Sequence, residues 1–386
     1  MSRELLSSNH GAGLAATLAA RANRNGRGFC SGVYPITPST ECMEFLCNQE
    51  IEKSRVIRVE SEHSAMGVCI GGASAGARTF TATSSNGLAY MVENCIAASY
   101  MRLPVVMVVA NRTMGPPWNV WADHGDALLL RDQGIIQFFC ADNQEVFDTV
   151  LAGFRLAEDK RVMMPVMVSM EGFILSHTMT QIEVPEQSAV DEFLPLSDIP
   201  HRLDEVPHTL GQVDTWHQTE VHRFQQHNAM LEVPNVYREI QKDFEARFGR
   251  WPADPVVPYK TEDAETIIVS MGTAGLTAER VVDRMREKGA RVGALRVRLF
   301  RPLPGEAIRA VLAGKKYIAV IDRDIAMGQG GVLWSDVRPF ADPGAVVQNY
   351  LAGLGGGDIR PSMIEKMLLD LARRDTSGAP VLMETV

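Results

Sequence analysis

Short apolar runs rich in β-branched residues alternate with longer stretches of helical spacing from the start of the chain to about Gly172. This rhythm predicts a parallel α/β sheet. The expected strands are Val56–Glu60, Thr79–Thr83, Pro104–Ala110, Ile135–Phe139 and Pro165–Met170. They read as nearly continuous hydrophobic runs, so helices should cover both faces of the sheet. Helices are expected over Glu62–Ala77, Gly87–Met101, Asp123–Arg131 and Gln144–Glu158, and the alanine- and glycine-rich stretch within residues 1–28 predicts a first core helix.

Residues 182–251 break the rhythm, with prolines at 185, 195, 200, 207 and 234 and five histidines. A polar run from Thr215 to Met230 has helical character, and a further helix is expected over Val236–Phe248. This segment reads as an excursion from the first domain, not as a second sheet. Trp251–Tyr259 then places three prolines in nine residues, which favours an extended connector. Alternation resumes with a strand at Thr266–Ser270, a helix at Gly275–Lys288, a strand at Val292–Leu299, a helix at Glu306–Ala313 and a strand at Tyr317–Ile321. A smaller α/β domain with right-handed crossovers follows from that order. The division expected is therefore 1–251, a linker at 252–259, and a second domain at 260–386.

Length supports the same division, since 386 residues are too many for one average domain and enough for two. With 46% hydrophobic and 22% charged residues the chain is an ordinary globular one. The formal charge is -9 and the basic residues are scattered, so no nucleic-acid footprint is present. The amino-terminal apolar stretch is short and lacks a small-residue cleavage pattern, and no run of about 18 apolar residues occurs, so a cytosolic protein without a membrane span is expected. The six cysteines, Cys30, Cys42, Cys47, Cys69, Cys95 and Cys140, form no C-x-x-C pair. Buried, reduced thiols are expected, not an iron–sulfur or zinc site.

Three loops carry candidate chemistry. In Tyr34-Pro-Ile-Thr-Pro-Ser39 the proline after Thr37 pushes that residue out of the helical region. The loop presents a hydroxyl, or begins a helix near Glu41 with Thr37 or Ser39 as its cap, and the two are compatible because helix amino termini often hold anionic groups. Glu62 lies where an apolar strand meets a helix of small residues. A crowded carboxylate there can share a proton with a nitrogen base, as acid–base catalysis requires, or can simply favour the helix dipole. Asn111 and Arg112 end the apolar run Val108-Val-Ala-Asn-Arg112, where ligands of parallel sheets gather. Arg112 suits bidentate capture of a carboxylate, and an ordinary surface ion pair suits it equally. Other signals are weaker. The turn Ser270-Met-Gly-Thr-Ala-Gly275 lacks a full dinucleotide fingerprint, and His217, His222 and His227 do not stack on one helical face.

These loops resemble those of the pyruvate:ferredoxin oxidoreductase family in its multi-subunit form, specifically its alpha subunit. The matching segments are G-V-Y-P-I-T-P-S at 32–39, E-S-E-H-S-A-M-G at 60–67, T-A-T-S-S-N-G-L at 81–88 and V-V-A-N-R at 108–112. They continue with W-N-V-W-A-D-H-G-D at 118–126, R-D-Q-G-I-I-Q-F at 131–138, P-V-M-V-S-M-E-G-F at 165–173, P-H-R-L-D at 200–204, F-G-R-W at 248–251 and R-L-F-R-P-L-P at 298–304. The resemblance implies an α/β fold: a thiamine diphosphate pyrimidine-binding domain, then a transketolase carboxyl-terminal-like domain.

In such enzymes the glutamate matching Glu62 hydrogen-bonds N1′ of the aminopyrimidine, so that N4′ can remove the thiazolium C2 proton. A 2-oxoacid is decarboxylated, electrons pass singly to iron–sulfur clusters, and coenzyme A takes the acyl group. By the same resemblance Thr37 and Arg112 contact the substrate, with Tyr34, Ile36 and Asn111 completing its pocket, and Pro35, Ser85 and Asn86 join Glu62 around the cofactor. The chain carries neither the G-D-G…N signature for magnesium and diphosphate nor a cluster-binding cysteine set. The resemblance therefore implies a diphosphate-binding beta subunit that brings Mg2+, a delta-type subunit with [4Fe-4S] clusters, a gamma-type subunit, and ferredoxin or another acceptor. Pyruvate is the family's commonest substrate. Phe29-Cys-Ser31 and Met114-Gly-Pro-Pro-Trp118 depart from the pyruvate pattern and would suit a bulkier 2-oxoacid such as phenylglyoxylate. Two other readings compete: a non-catalytic structural or regulatory subunit of such a complex, and an NAD-dependent two-domain dehydrogenase.

Overall fold

Val105–Asn111 is buried along its whole length, and so are the strands on either side of it, Arg78–Thr83 and Val166–Glu171. The four valines of that central strand are fully excluded from water, each contributing roughly 1.5–3 kcal/mol of transfer free energy. In the computed structural model, which describes residues 1–203 and 207–384, these three strands form the middle of a seven-stranded sheet. Its order is Leu299–Arg301, Ile136–Phe139, Val166–Glu171, Val105–Asn111, Arg78–Thr83, Phe29–Val33, Ser54–Arg58, parallel except at Leu299–Arg301. One face is covered by helices Ser8–Ala22, Asn143–Ala157 and the long helix Trp216–Phe248. The other carries Glu62–Ser74 and Ser85–Tyr100 and shares its core with a second sheet.

That second sheet has six strands, in the order Val381–Met383, Val346–Ala352, Tyr317–Asp322, Thr266–Ser270, Val292–Val297, Val256–Tyr259. Met107 and Val109 of the first sheet and Ile267, Val269, Leu295 and Val297 of the second lie in one apolar cluster. The two sheets thus close on each other through side chains, with helices Ala274–Glu287 and Pro361–Leu371 on the outer face. Among the described residues no helix is long and apolar enough to cross a membrane.

Several expectations need correction. The stretch before the first helix forms a strand, Ser2–Leu6, paired antiparallel with Thr180–Val184 at the head of the excursion. Trp216–Phe248 is one helix that runs through Pro234, where two were expected. Val233, Val236, Tyr237, Ile240 and Phe244 form a buried stripe across that position, and burying it outweighs the backbone bond proline removes. The expected helix Asp123–Arg131 shrinks to Gly125–Leu128, because Asp126 turns its carboxylate inward. The expected connector ends in Val256–Tyr259, an antiparallel edge strand whose Pro258 is tolerated at an edge. The expected strand Val292–Leu299 divides between the two sheets, with Arg298 buried at the crossing. Asp204, the last residue of the P-H-R-L-D run, lies outside the described residues.

Candidate active site

All but one of the first sheet's strands are parallel, so their carboxyl ends open on one edge, and the loops that follow them meet there. Glu62 begins helix Glu62–Ser74 behind an N-cap at Ser61, whose side chain accepts from the Ser64 N–H. The residue is 8% exposed, and its carboxylate makes no hydrogen bond to the described residues. It lies beside Gly87. A Cβ there would fall 2.6 Å from Glu62 Oε1, 2.8 Å from Ile36 Cδ1 and 2.8 Å from Thr83 Oγ1. The hydroxyls of Thr83 and Ser84 are buried without partners. A bare glycine therefore sits among an unpartnered carboxylate, an unpartnered hydroxyl and an isoleucine side chain.

Arg112 follows the central strand and is 6% exposed. Its Nη1 donates to the Thr37 carbonyl, and its guanidinium lies 4.4 Å from the ring centre of Trp118. Burial lowers its pKa from the usual value, while Asp126 and Glu62 oppose that loss of charge. Thr37 and Pro35 are exposed on the loop, Ile36 is half-buried, and Tyr34 packs against the core between the sheets. Helix Thr40–Cys47 begins without a side-chain cap, and the Ser39 hydroxyl turns back to the Ile36 carbonyl. The helix start expected here is present, with Ser39 in the N-cap position, but no side-chain bond caps it. Ile36, Thr37, Glu62 and Arg112 come together. Ser85 and Asn86 instead hold the loop that carries Trp118, through the Thr113 carbonyl and the Gly115 backbone.

Sequence reasoning missed Asp126. It is fully buried and accepts from the backbone N–H groups of Ser85, Arg112 and Ala127 and from Asn111 Nδ2, at 2.7–3.0 Å. Burial pushes its pKa up to about 6 in spite of those donors. The loop containing it also reaches the second sheet. His124 N–H donates to the Arg323 carbonyl, Asn119 Nδ2 to the Gly355 carbonyl, and Trp121 packs directly on Gly356. Beneath the loop, Glu171 sits between His124 Nε2 at 3.0 Å and Arg323 Nε at 3.7 Å, and it accepts from Thr273 N and Oγ1. Glu171 thus places a carboxylate on the N-cap residue Thr273 of helix Ala274–Glu287, where a second anion would meet like charge. That arrangement counts against a nicotinamide-binding turn at Ser270–Gly275.

Two family profiles match the chain. Residues 26–242 fit the one described as pyruvate flavodoxin/ferredoxin oxidoreductase, thiamine diphosphate-binding. The chain belongs to this family. Residues 264–364 fit the family's core domain II. Pyruvate synthase subunit PorA of Methanocaldococcus jannaschii is 41% identical over 346 residues, covering 87% of this chain and 88% of that protein. Ketoisovalerate oxidoreductase subunit VorA of Pyrococcus abyssi is 39% identical over 354 residues, covering 89% of each. The fold is that of 2-oxoglutarate:ferredoxin oxidoreductase from Magnetococcus marinus, with a TM-score of 0.73 at 19% identity. That likeness covers 96% of this chain and 65% of the other. The chain is thus an alpha-type subunit of a 2-oxoacid:acceptor oxidoreductase, an enzyme that works as a complex.

Proposed function

We propose that the chain binds the aminopyrimidine half of thiamine diphosphate through Glu62 and the substrate through Arg112 and Thr37. In this reading the complex oxidatively decarboxylates a 2-oxoacid to acyl-coenzyme A. Pyruvate is the first candidate, because a pyruvate synthase subunit is similar over nearly the whole length. The observation that carries the reading is the Glu62 carboxylate, buried, without a partner, and facing bare Gly87. A flat heteroaromatic ring seated on that glycine would bring a ring nitrogen to share a hydrogen bond with Glu62, which makes none to the described residues. When bound, thiamine diphosphate supplies the carbanion chemistry. The chain's own residues then do three things. Glu62 holds a proton at the ring nitrogen, Ile36 and the Tyr34–Thr37 loop shield the reacting face from water, and Arg112 holds a carboxylate.

Residues 1–251 would be the pyrimidine-binding unit, including the excursion at 182–251, followed by a short linker and a transketolase-like unit that begins at the edge strand Val256–Tyr259. A beta subunit would supply Mg2+ and the diphosphate anchor, and a delta-type subunit the [4Fe-4S] clusters. A gamma-type subunit would complete a cytoplasmic complex that reduces ferredoxin or another acceptor. Replacing Glu62 with glutamine in the assembled complex should lower turnover by orders of magnitude. Near-normal turnover would refute the reading and favour a structural or regulatory subunit.

One observation favours an aromatic substrate: the half-exposed Trp118 ring lies over Arg112. Comparing turnover of pyruvate and phenylglyoxylate decides it, and a strong preference for pyruvate would sink the aromatic reading.

A further inference from the structure

We infer that Asp126 is a positioning residue for the substrate carboxylate, acting through Arg112. The inference rests on the reading above, in which Arg112 grips the 2-oxoacid. The strands Arg78–Thr83 and Val105–Asn111 are parallel neighbours, and beyond their last paired residues the N–H groups of Ser85 and Arg112 have no strand carbonyl to meet. Asp126 Oδ2 receives both, at 2.9 Å and 3.0 Å. One oxygen atom thus sets the spacing between the helix start that carries Gly87 and the residue that carries the guanidinium. Asp126 Oδ1 receives Asn111 Nδ2 at 2.8 Å and its neighbour's N–H, so both oxygens are filled and neither can rotate away.

Further observations tie this carboxylate to the substrate side of the site. Ser85 is held at φ 49, a left-handed conformation that a serine does not adopt without restraint, and Asp126 together with the Thr113 carbonyl supplies that restraint. The loop between Thr113 and Asp126 also carries Trp118, whose ring lies over Arg112. Backbone, side chain and aromatic cover of Arg112 therefore share a single buried anchor. No atom of Asp126 is exposed to solvent, so its contribution is geometric and not chemical.

The test uses the assembled complex carrying Asp126→Asn, which keeps the side chain's size but turns an amide N–H2 toward N–H donors. The KM for the 2-oxoacid should rise roughly tenfold to hundredfold, as a displaced gripping residue requires. The KM for coenzyme A should stay near the parent's, and quenching of tryptophan fluorescence by the 2-oxoacid should shift to higher concentration in parallel. The lost buried bonds lower the melting temperature in either case. A merely structural role would lower kcat with the 2-oxoacid KM unmoved, and that result overturns the inference. Asn111→Ser, which removes a single donor, should give a smaller rise in the same KM and decides the matter where Asp126→Asn fails to assemble; an unchanged KM there overturns it too. Arg112→Lys separates the two layers. If it leaves the 2-oxoacid KM unchanged, the site reading itself fails, whereas a raised KM there with none in Asp126→Asn refutes only the role of Asp126.

Discussion

Replacing Glu171 with glutamine tests how tightly the two sheets are joined beneath the site. Glu171 ends the strand Val166–Glu171 and is 1% exposed, with His124, Arg323 and both polar groups of Thr273 around its carboxylate. Burial opposes its ionisation, but the Arg323 guanidinium, His124 and the Thr273 hydroxyl outweigh burial and hold its pKa at about 2 instead of 4.5. At about 1.4 kcal/mol per pH unit, that drop is worth roughly 3 kcal/mol of folding free energy. Because the folded value is the lower one, the stabilisation is fully present above about pH 4.5 and is lost as pH falls toward 2. Glutamine keeps the shape, removes the charge and leaves the Arg323 guanidinium buried without its counter-ion. Urea unfolding followed by tryptophan fluorescence should therefore show the variant about 3 kcal/mol less stable near pH 7. Below pH 4.5 the gap should narrow by about 1.4 kcal/mol for each further pH unit. A gap under about 1 kcal/mol near pH 7, or one that widens on acidification, would refute the reasoning.

Three further substitutions probe the rest of the site and its frame. Gly87→Ala places a methyl group 2.6 Å from Glu62 Oε1, so calorimetric titration of the cofactor-free complex should show thiamine diphosphate affinity falling at least about tenfold; unaltered affinity would count against the cradle. Gly356→Ala adds a Cβ 2.0 Å from that of Trp121 at a position with φ 87, and a loss of about 2 kcal/mol in unfolding free energy should accompany a raised 2-oxoacid KM. Arg78→Met removes the partner of Glu158, to which Arg78 donates at 2.7 Å and 2.8 Å, along with bonds to the Ala19 and Pro195 carbonyls. Thermal melts should report roughly 3–5 kcal/mol of destabilisation, and a shift equivalent to less than about 1 would contradict the assigned bonding.

What could be read from the sequence followed from periodicity. Strands that are buried on both faces, such as Val105–Asn111 and Val166–Glu171, announce themselves as apolar runs, and the helices between them follow from spacing. Phe29–Val33 gave no such signal, because Cys30, Ser31 and Gly32 interrupt the run; small residues are needed there, since a Cβ at Gly32 would overlap Ala65 of the helix above. The edge strand Val256–Tyr259 was hidden by its prolines, and the junction at Pro234 by the assumption that proline ends a helix. For the candidate site, Glu62 and Arg112 stood out because each is a charged residue at a junction, Glu62 where an edge strand gives way to a helix and Arg112 at the end of an apolar strand. Asp126 did not, because its importance lies in backbone N–H groups 14 and 41 residues away that no local pattern reveals. An aspartate after glycine in the run His-Gly-Asp, expected to lie inside a helix, was the available hint.

The same geometry suggests why a chain whose candidate catalytic carboxylate lies in the first sheet also carries a second. Glu62, Gly87 and Thr83 stand on the strand Arg78–Thr83 and the helices that flank it, and Asp126 ties the start of the second of those helices to Arg112. The cover of Arg112 is different, because the loop from Thr113 to Asp126 is held at Asn119, Trp121 and His124 by residues at 323 and 353–357 of the second sheet's connections. The turn at 353–357 thus supports the cover of Arg112 directly and reaches the helix start that carries Gly87 only through Asp126. Changes confined to the turn at Gly353–Gly357 should consequently move the 2-oxoacid KM more than thiamine diphosphate affinity, and changes at Gly87 should do the reverse. Measuring both constants on both variants separates the two supports, and equal movement of both constants in each variant would show that the seam transmits no such division.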